Sequence, residues 1–239
     1  MNRLRDQFSI GGTLAYLLWR ATGSSRAIRV RLKSDAVISI RPEPADDLAT
    51  AYEVFASGVY RPPRPVPEKG IGYVVDLGAN VGYSCIFLAN RFPHAYIAAF
   101  EPHPAHAALA RKNFGLNRGL AGRIELFERA AGVADGLKYL TDAGVRSTIQ
   151  VSPETGSMPI AVVDILEVLR RAPCDLLKID IEGSEYEILE DRRFHSSLAR
   201  VIAVEWHHLE GIDGESWTRS RLQRAGYCVG SRTPGRLPH

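Results

Sequence analysis

From Tyr73 onward, short apolar runs alternate with amphipathic stretches of helical period. The pattern predicts strands at Tyr73–Leu77, Tyr96–Phe100, Ile124–Glu128, Asp175–Ile181 and Arg200–Glu205, and a last short strand at Tyr227–Val229. It predicts helices at Gly82–Arg91, Pro104–Asn117, Val162–Arg170, Ser184–Asp191 and Gly214–Arg224. Strands that are apolar on both faces belong in a parallel sheet covered by helices. Repeated strand–helix units predict an α/β, doubly wound, mostly parallel sheet. Ligands of such sheets bind outside the carboxyl ends of the strands, so functional residues are expected just after each one.

The first 69 residues follow a different pattern and form a small N-terminal extension to the domain expected over 70–239. Ile10, Leu14, Leu17 and Leu18 fall at offsets 0, 4, 7 and 8, an amphipathic helical stripe. The stretch is too short to span a bilayer, which takes about 20 apolar residues. A helix packed on the domain by this stripe is the favoured reading, with a membrane-surface helix as the alternative. A hairpin is expected from Ala27–Leu32 and Ala36–Ile40, then a helix opened by Asp46 and Asp47 whose Leu48, Tyr52, Phe55 and Val59 share a face. Pro62, Pro63, Pro65 and Pro67 separate the two regions, because prolines at that density break helices and central strands.

Composition narrows the classes. A chain of 239 residues, 45% hydrophobic and 24% charged, can bury a core. Its net charge of +3 gives no ground for a nucleic-acid partner. Arg26, Arg29, Arg31 and Lys33 alternate with Ile28, Val30 and Leu32, as on the solvated face of a strand. Cys85, Cys174 and Cys228 show no metal spacing and are expected to be buried free thiols in a reducing, cytoplasmic setting.

The candidate chemistry begins at Val74–Ser84, where a strand ends in Asp76 and continues as Leu77-Gly78-Ala79-Asn80-Val81-Gly82-Tyr83-Ser84. Gly78 allows a tight turn, Gly82 a close start for the next helix, and the helix N-terminus offers N–H groups to an anion. Asn80 stands where a dinucleotide-binding loop has its second glycine. A ligand carrying an amino group and a sulfonium cation suits Asp76 better than a pyrophosphate does. Glu101 follows the second strand, 19 residues beyond Gly82, the spacing at which an acid binds ribose hydroxyls in nucleoside-binding folds.

The second cluster is Lys178-Ile179-Asp180-Ile181-Glu182-Gly183-Ser184-Glu185. Strand alternation places Lys178, Asp180 and Glu182 on one side, the two carboxylates about 6.6 Å apart at about 3.3 Å per residue. Ser184 can cap the next helix. Glu205 and His207 share a side of the neighbouring strand end, with His208 as a plain surface residue. Asp180, Glu182, Glu205 and His207 could meet over one pocket as acid–base groups. Asp180, Glu182 and Glu205 are also the candidates for a divalent metal site. A salt bridge from Lys178 with helix capping by Glu185 is the purely structural alternative.

Together VVDLGANVGYS, AAFEPHP, the helix bearing Asn113 and Asn117, LLKIDIEGSEYEIL and VIAVEWHH resemble the FkbM family of methyltransferases, over roughly Tyr73 to Gly230. The resemblance implies a class I, Rossmann-like methyltransferase fold and S-adenosyl-L-methionine as donor. It implies an acceptor hydroxyl on a sugar, glycan or polyketide-type metabolite. It implies donor contacts from Asp76, Gly78, Ala79, Asn80, Gly82, Tyr83, Ser84, Glu101 and Pro102, with Asp180 facing the transferred methyl. Two departures stand out. The family's final hairpin is shortened after Tyr227, and Arg129 with the Ala130 backbone would have to recognise adenine. The competing readings are a nicotinamide-dependent oxidoreductase on a related fold and a non-catalytic nucleoside-binding protein.

Overall fold

Five parallel strands form the centre of the computed structural model, which describes residues 4, 6–42, 44–57, 59–60, 70–120, 122–142, 147–150, 157–207 and 210–230. The hairpin is β1 (Ile28–Arg31) and β2 (Val37–Ile40). The central strands are β3 (Tyr73–Leu77), β4 (Tyr96–Phe100), β5 (Ile124–Phe127), β10 (Cys174–Ile179) and β11 (Ala199–Val204), in the order β11-β10-β3-β4-β5. Val74, Val75, Leu77, Ile97, Leu177 and Ile179 are fully buried, because helices cover the sheet. Strand order reverses between β3 and β10, which opens a cleft beyond their carboxyl ends.

A second sheet of β6 (Ala130–Gly132), β7 (Gly136–Asp142), β8 (Ser147–Gln150) and β9 (Met158–Asp164) has the order β6-β9-β7-β8. It corrects the helix expected at Val162–Arg170. Val162 and Val163 pair with Ala130 and Ala131 as strand, and the helix α5 spans Ile165–Arg171. Asp164 Oδ1 caps that helix by accepting from Glu167 N at 3.2 Å. Tyr227–Val229 runs as loop, with the Tyr227 hydroxyl donating to Ala199 O.

The hairpin forms in the expected place, turning through Asp35 at φ 64°. It is tied to the sheet's covering helices α3 (Tyr83–Arg91) and α4 (Pro104–Gly115). Asn117 mimics a strand partner, accepting from Val37 N and donating to Val37 O, both at 2.8 Å. Asn113 accepts from Ser39 N and donates to Val81 O. Val30, Ile38 and Ile40 share one core cluster with Val74 and Ile97, so the N-terminal extension and the sheet bury a common interior.

The first helix, α1 (Ile10–Thr22), opens on Ser9, which accepts from Gly12 N, and ends on Gly23 at φ 59°. Its packing reverses the expected one. Gly12 and Tyr16 face the interior, while Ile10, Leu14, Leu17 and Leu18 are exposed. A side chain at position 12 would collide with the Arg31 backbone, so this is where the helix touches β1. The next helix, α2 (Asp47–Ala51), continues into a π-turn over Tyr52–Ser57, a form often found at functional sites. Asp47 is buried and accepts from the Arg41 guanidinium through both carboxylate oxygens. The proline cluster and His208 lie outside the described residues.

Candidate active site

Beyond β3 and β10 lies a cavity of about 430 Å³. Its floor is the glycine loop. Gly78 N and Ala79 N both donate to Phe100 O, bending the chain across β4. Gly78 holds φ 79°, and a Cβ there would overlap the Asp180 carbonyl oxygen. The Asp180 backbone thus makes the close approach that the missing side chain of Gly78 permits. Gly82, at φ 84°, packs against Phe114 and does not border the cavity.

Glu101 stands at one side with 5% exposure. Its Oε2 accepts from Asn80 N at 2.8 Å and its Oε1 from His103 N at 2.9 Å. A carboxylate offers about four lone-pair positions, so Oε2 keeps one for a ligand, while Oε1 also faces His106 Nδ1 at 3.7 Å. Gly78, Ala79, Asn80, Tyr83, Ser84, Pro102 and Ala130 also line the cavity, whereas Arg129 does not. Tyr83 turns its hydroxyl away to Ser39 O at 2.6 Å.

Asp76 is placed differently from its expected contact with a donor's amino group. It is fully buried and lies beneath the cavity lining. Oδ2 accepts from Ser84 Oγ at 2.6 Å and Cys85 Sγ at 3.2 Å, and Oδ1 sits 3.0 Å from Lys178 Nζ. Lys178 and Asp76 are register partners on adjacent strands, which brings the charges together. Lys178 Nζ also donates to Gly78 O at 2.8 Å and lies 3.3 Å from Asp180 Oδ2. Burial alone would lower the lysine pKa; the Asp76 charge, then Tyr60 and Asp180, more than reverse this and keep it an ammonium. One buried cation therefore joins the glycine loop to the second cluster.

The central strand stops at Ile179, so Asp180 and Glu182 lie on a turn and strand alternation does not place them. Glu182 and Gly183 both take positive φ, 52° and 101°. Asp180, Glu205 and His207 offer ligand atoms that all lie within 4.8 Å of one another. His207 Nε2 is 3.7 Å from Asp180 and 3.5 Å from Glu182. Ser184 occupies the N-cap position of α6 (Glu185–Glu190) without a side-chain cap bond. The fully buried Glu185 does more: it accepts from Gly183 N, from His207 N and, at 3.0 Å, from His207 Nδ1. It thus orients the imidazole.

Burial would lower the His207 pKa, but the Glu185 hydrogen bond and the charges of Glu182, Glu185 and Asp180 push it up to about 9. Glu205 is exposed at the edge of the cavity, with Asp180, His207 and Glu53 of the lining around it. Burial first, then Asp180 and Glu53, push its carboxyl up to about 7.

The N-terminal extension supplies cavity residues that motif reading missed. Tyr60 donates its hydroxyl to Asp180 Oδ2 at 3.2 Å and lays its ring over Lys178 Nζ. Asp46, Thr50 and Glu53 also line the cavity. Their offsets of 0, 4 and 7 mark one polar helix face, a signal present in the sequence. Leu140 of β7 closes the side near Ala130. Among the cysteines, Cys85 and Cys174 are buried free thiols, but Cys228 is exposed.

A parallel sheet of order β11-β10-β3-β4-β5, with a glycine loop and an acid after its first two central strands, is the class I methyltransferase architecture. The chain belongs to the FkbM methyltransferase family: the methyltransferase FkbM domain matches residues 76–228. It is similar to Methyltransferase 1 of Beauveria bassiana, 24% identical with 88% of this chain and 93% of that protein covered. It is also similar to the 31-O-demethyl-FK506 methyltransferase FkbM of Streptomyces tacrolimicus, 28% identical with 59% of this chain and 68% of that protein covered. The crystal structure of methyltransferase FkbM from Methylobacillus flagellatus shares the fold at a TM-score of 0.50 and 16% identity, covering 92% of this chain. The chain spans about half, 51%, of that solved chain. Membership in a methyltransferase family sets aside the nicotinamide oxidoreductase reading.

Proposed function

We propose that the chain transfers a methyl group from S-adenosyl-L-methionine to a hydroxyl oxygen of a small-molecule or glycan acceptor, with Glu205 taking the hydroxyl proton. The observation that carries this is the convergence of Asp180, Glu205 and His207 in a cavity that Glu101 and the glycine loop also line. The residues suit that donor. Glu101 keeps a lone pair for a ribose hydroxyl, and the cavity is rimmed by Glu53, Asp180, Glu182 and Glu205, which favours a cation. What the bound donor supplies is a methyl group already activated by its sulfonium. The protein's work is therefore to hold the acceptor oxygen in line and receive its proton. The Streptomyces relative, named for an O-demethyl compound, supports an oxygen acceptor.

Glu205 is assigned as the base because burial, Asp180 and Glu53 push its carboxyl up to about 7, which suits a proton acceptor working near neutrality. His207, held as imidazolium, keeps Asp180 and Glu182 together against their mutual repulsion. A divalent metal on Asp180, Glu205 and His207 is a second reading, favoured by their 4.8 Å cluster. It requires His207 to give up its proton and the ion to approach beside the Lys178 ammonium. The metal-free reading is preferred on that ground.

The pH dependence separates the two. With Glu205 as base, kcat/KM should rise as pH passes about 7 and Glu205 ionises. It should fall again past about 9, as His207 loses the proton that bridges the carboxylates. Donor turnover against a panel of sugars and hydroxylated metabolites, with and without chelator, provides the assay. Loss of activity in chelator with recovery on added magnesium or manganese would move the proton-acceptor role to a metal-bound group.

A further inference from the structure

The face of α1 that points to solvent is apolar until its last turn, where Arg20 and Thr22 are also exposed. Ile10 is 86% exposed, Leu18 67%, Leu14 58% and Leu17 44%, and Gly11 and Ala21 continue the same arc. Arg20 is the single charge in the 13-residue helix. A surface helix ordinarily turns charged residues outward, so this one is built to be covered. Its inward contacts use Gly12, Tyr16 and the partly buried Trp19. The outward leucines are therefore not members of the buried core.

Basic residues are tethered at both ends of that face. Ser9 N donates to Arg31 O and Lys33 N to Gln7 O, which holds exposed Arg31 and Lys33 beside the helix start. Trp19 Nε1 donates to Arg26 O at 2.7 Å, which holds exposed Arg26 beside Arg20 at the helix end. The charge of the chain is segregated in the same sense. The first 42 residues hold eight Lys and Arg against two Asp and Glu, a net +6 in a chain whose total is +3, so the remainder carries −3.

We propose that α1 docks this chain on an anionic lipid surface, lying in the interface with Ile10, Leu14, Leu17 and Leu18 among the acyl chains. Arg20, Arg26, Arg31 and Lys33 would meet the headgroups. At about 1.5 Å per residue the helix is about 20 Å long, short of the roughly 30 Å needed to cross. No helix among the described residues is long and apolar enough to do so. A second copy is the less favoured occupant, because pairing through this face would set two units of net +6 against each other. The proposal is independent of the catalytic reading.

The test is vesicle flotation of the full chain at low salt. With vesicles holding about 30% phosphatidylglycerol in phosphatidylcholine, the bound fraction should exceed that on pure phosphatidylcholine by about tenfold or more, and 0.5 M salt should reduce it about as far. Leu14→Glu/Leu18→Glu, at exposed sites, should keep the thermal unfolding temperature of the parent and lose flotation. The proposal is overturned by wild-type protein that does not float, that floats equally on both vesicles, or whose flotation survives the double substitution. It is equally overturned if sedimentation shows a stable dimer that the double substitution converts to monomer.

Discussion

Glu205→Gln should lower turnover by about 10²-fold or more while leaving the fold intact, as expected when a general base is lost. The substitution keeps the shape of the side chain and removes the proton acceptor. It should also erase the rise of kcat/KM near pH 7, because the carboxyl that accounts for that rise is gone. Asp180→Asn should lower turnover too, since Asp180 holds Lys178, Tyr60 and His207 in one arrangement. The rise should persist in that variant but move to lower pH, because the Asp180 charge helps push the Glu205 carboxyl up. A Glu205→Gln enzyme with near-normal turnover would remove Glu205 as the base and leave His207 or a metal in its place.

Gly78→Ala should destabilise the protein by about 2 kcal/mol or more and abolish activity in what remains folded. Two costs add. The residue holds φ 79°, and its new Cβ would overlap the backbone oxygen of Asp180. The glycine loop and the Asp180 turn would have to separate, breaking the Lys178 bonds that join them. Gly183→Ala is the control, because it has φ 101° with open space where the Cβ would go. It should lose only the backbone strain, about 1 kcal/mol. Equal losses in the two variants, read from denaturant midpoints, would show that contact between the two loops does not matter.

The sheet and its two loops were legible because each is written in local signals. Apolar runs of strand length, the two glycines and acids just beyond strand ends all act within a few residues. Asp180, Glu205 and His207 come together as expected, although beyond the strand ends. Long-range pairing was not legible. The second sheet draws its strands from 130–164, and no single strand there carries a clear alternation. Periodicity found α1 but not its buried side, since Gly12 rather than the leucine stripe makes the tight contact with β1. The Asp46, Thr50 and Glu53 face carries no apolar signal, so hydrophobic periodicity alone does not reveal it. The motif around Asp76 points to a ligand, whereas its cross-strand neighbour Lys178 pairs with it inside the protein.

Titration calorimetry of the intact protein with S-adenosylmethionine and its demethylated product tests the central claim most directly, with NAD as the comparison and Glu101→Ala as the variant. The account predicts one donor site per chain, little or no affinity for NAD, and a loss of about 1–3 kcal/mol of donor affinity in Glu101→Ala, the range for a charge-assisted hydrogen bond. Tight NAD binding without donor binding, or unchanged donor affinity in a well-folded Glu101→Ala protein, would contradict it.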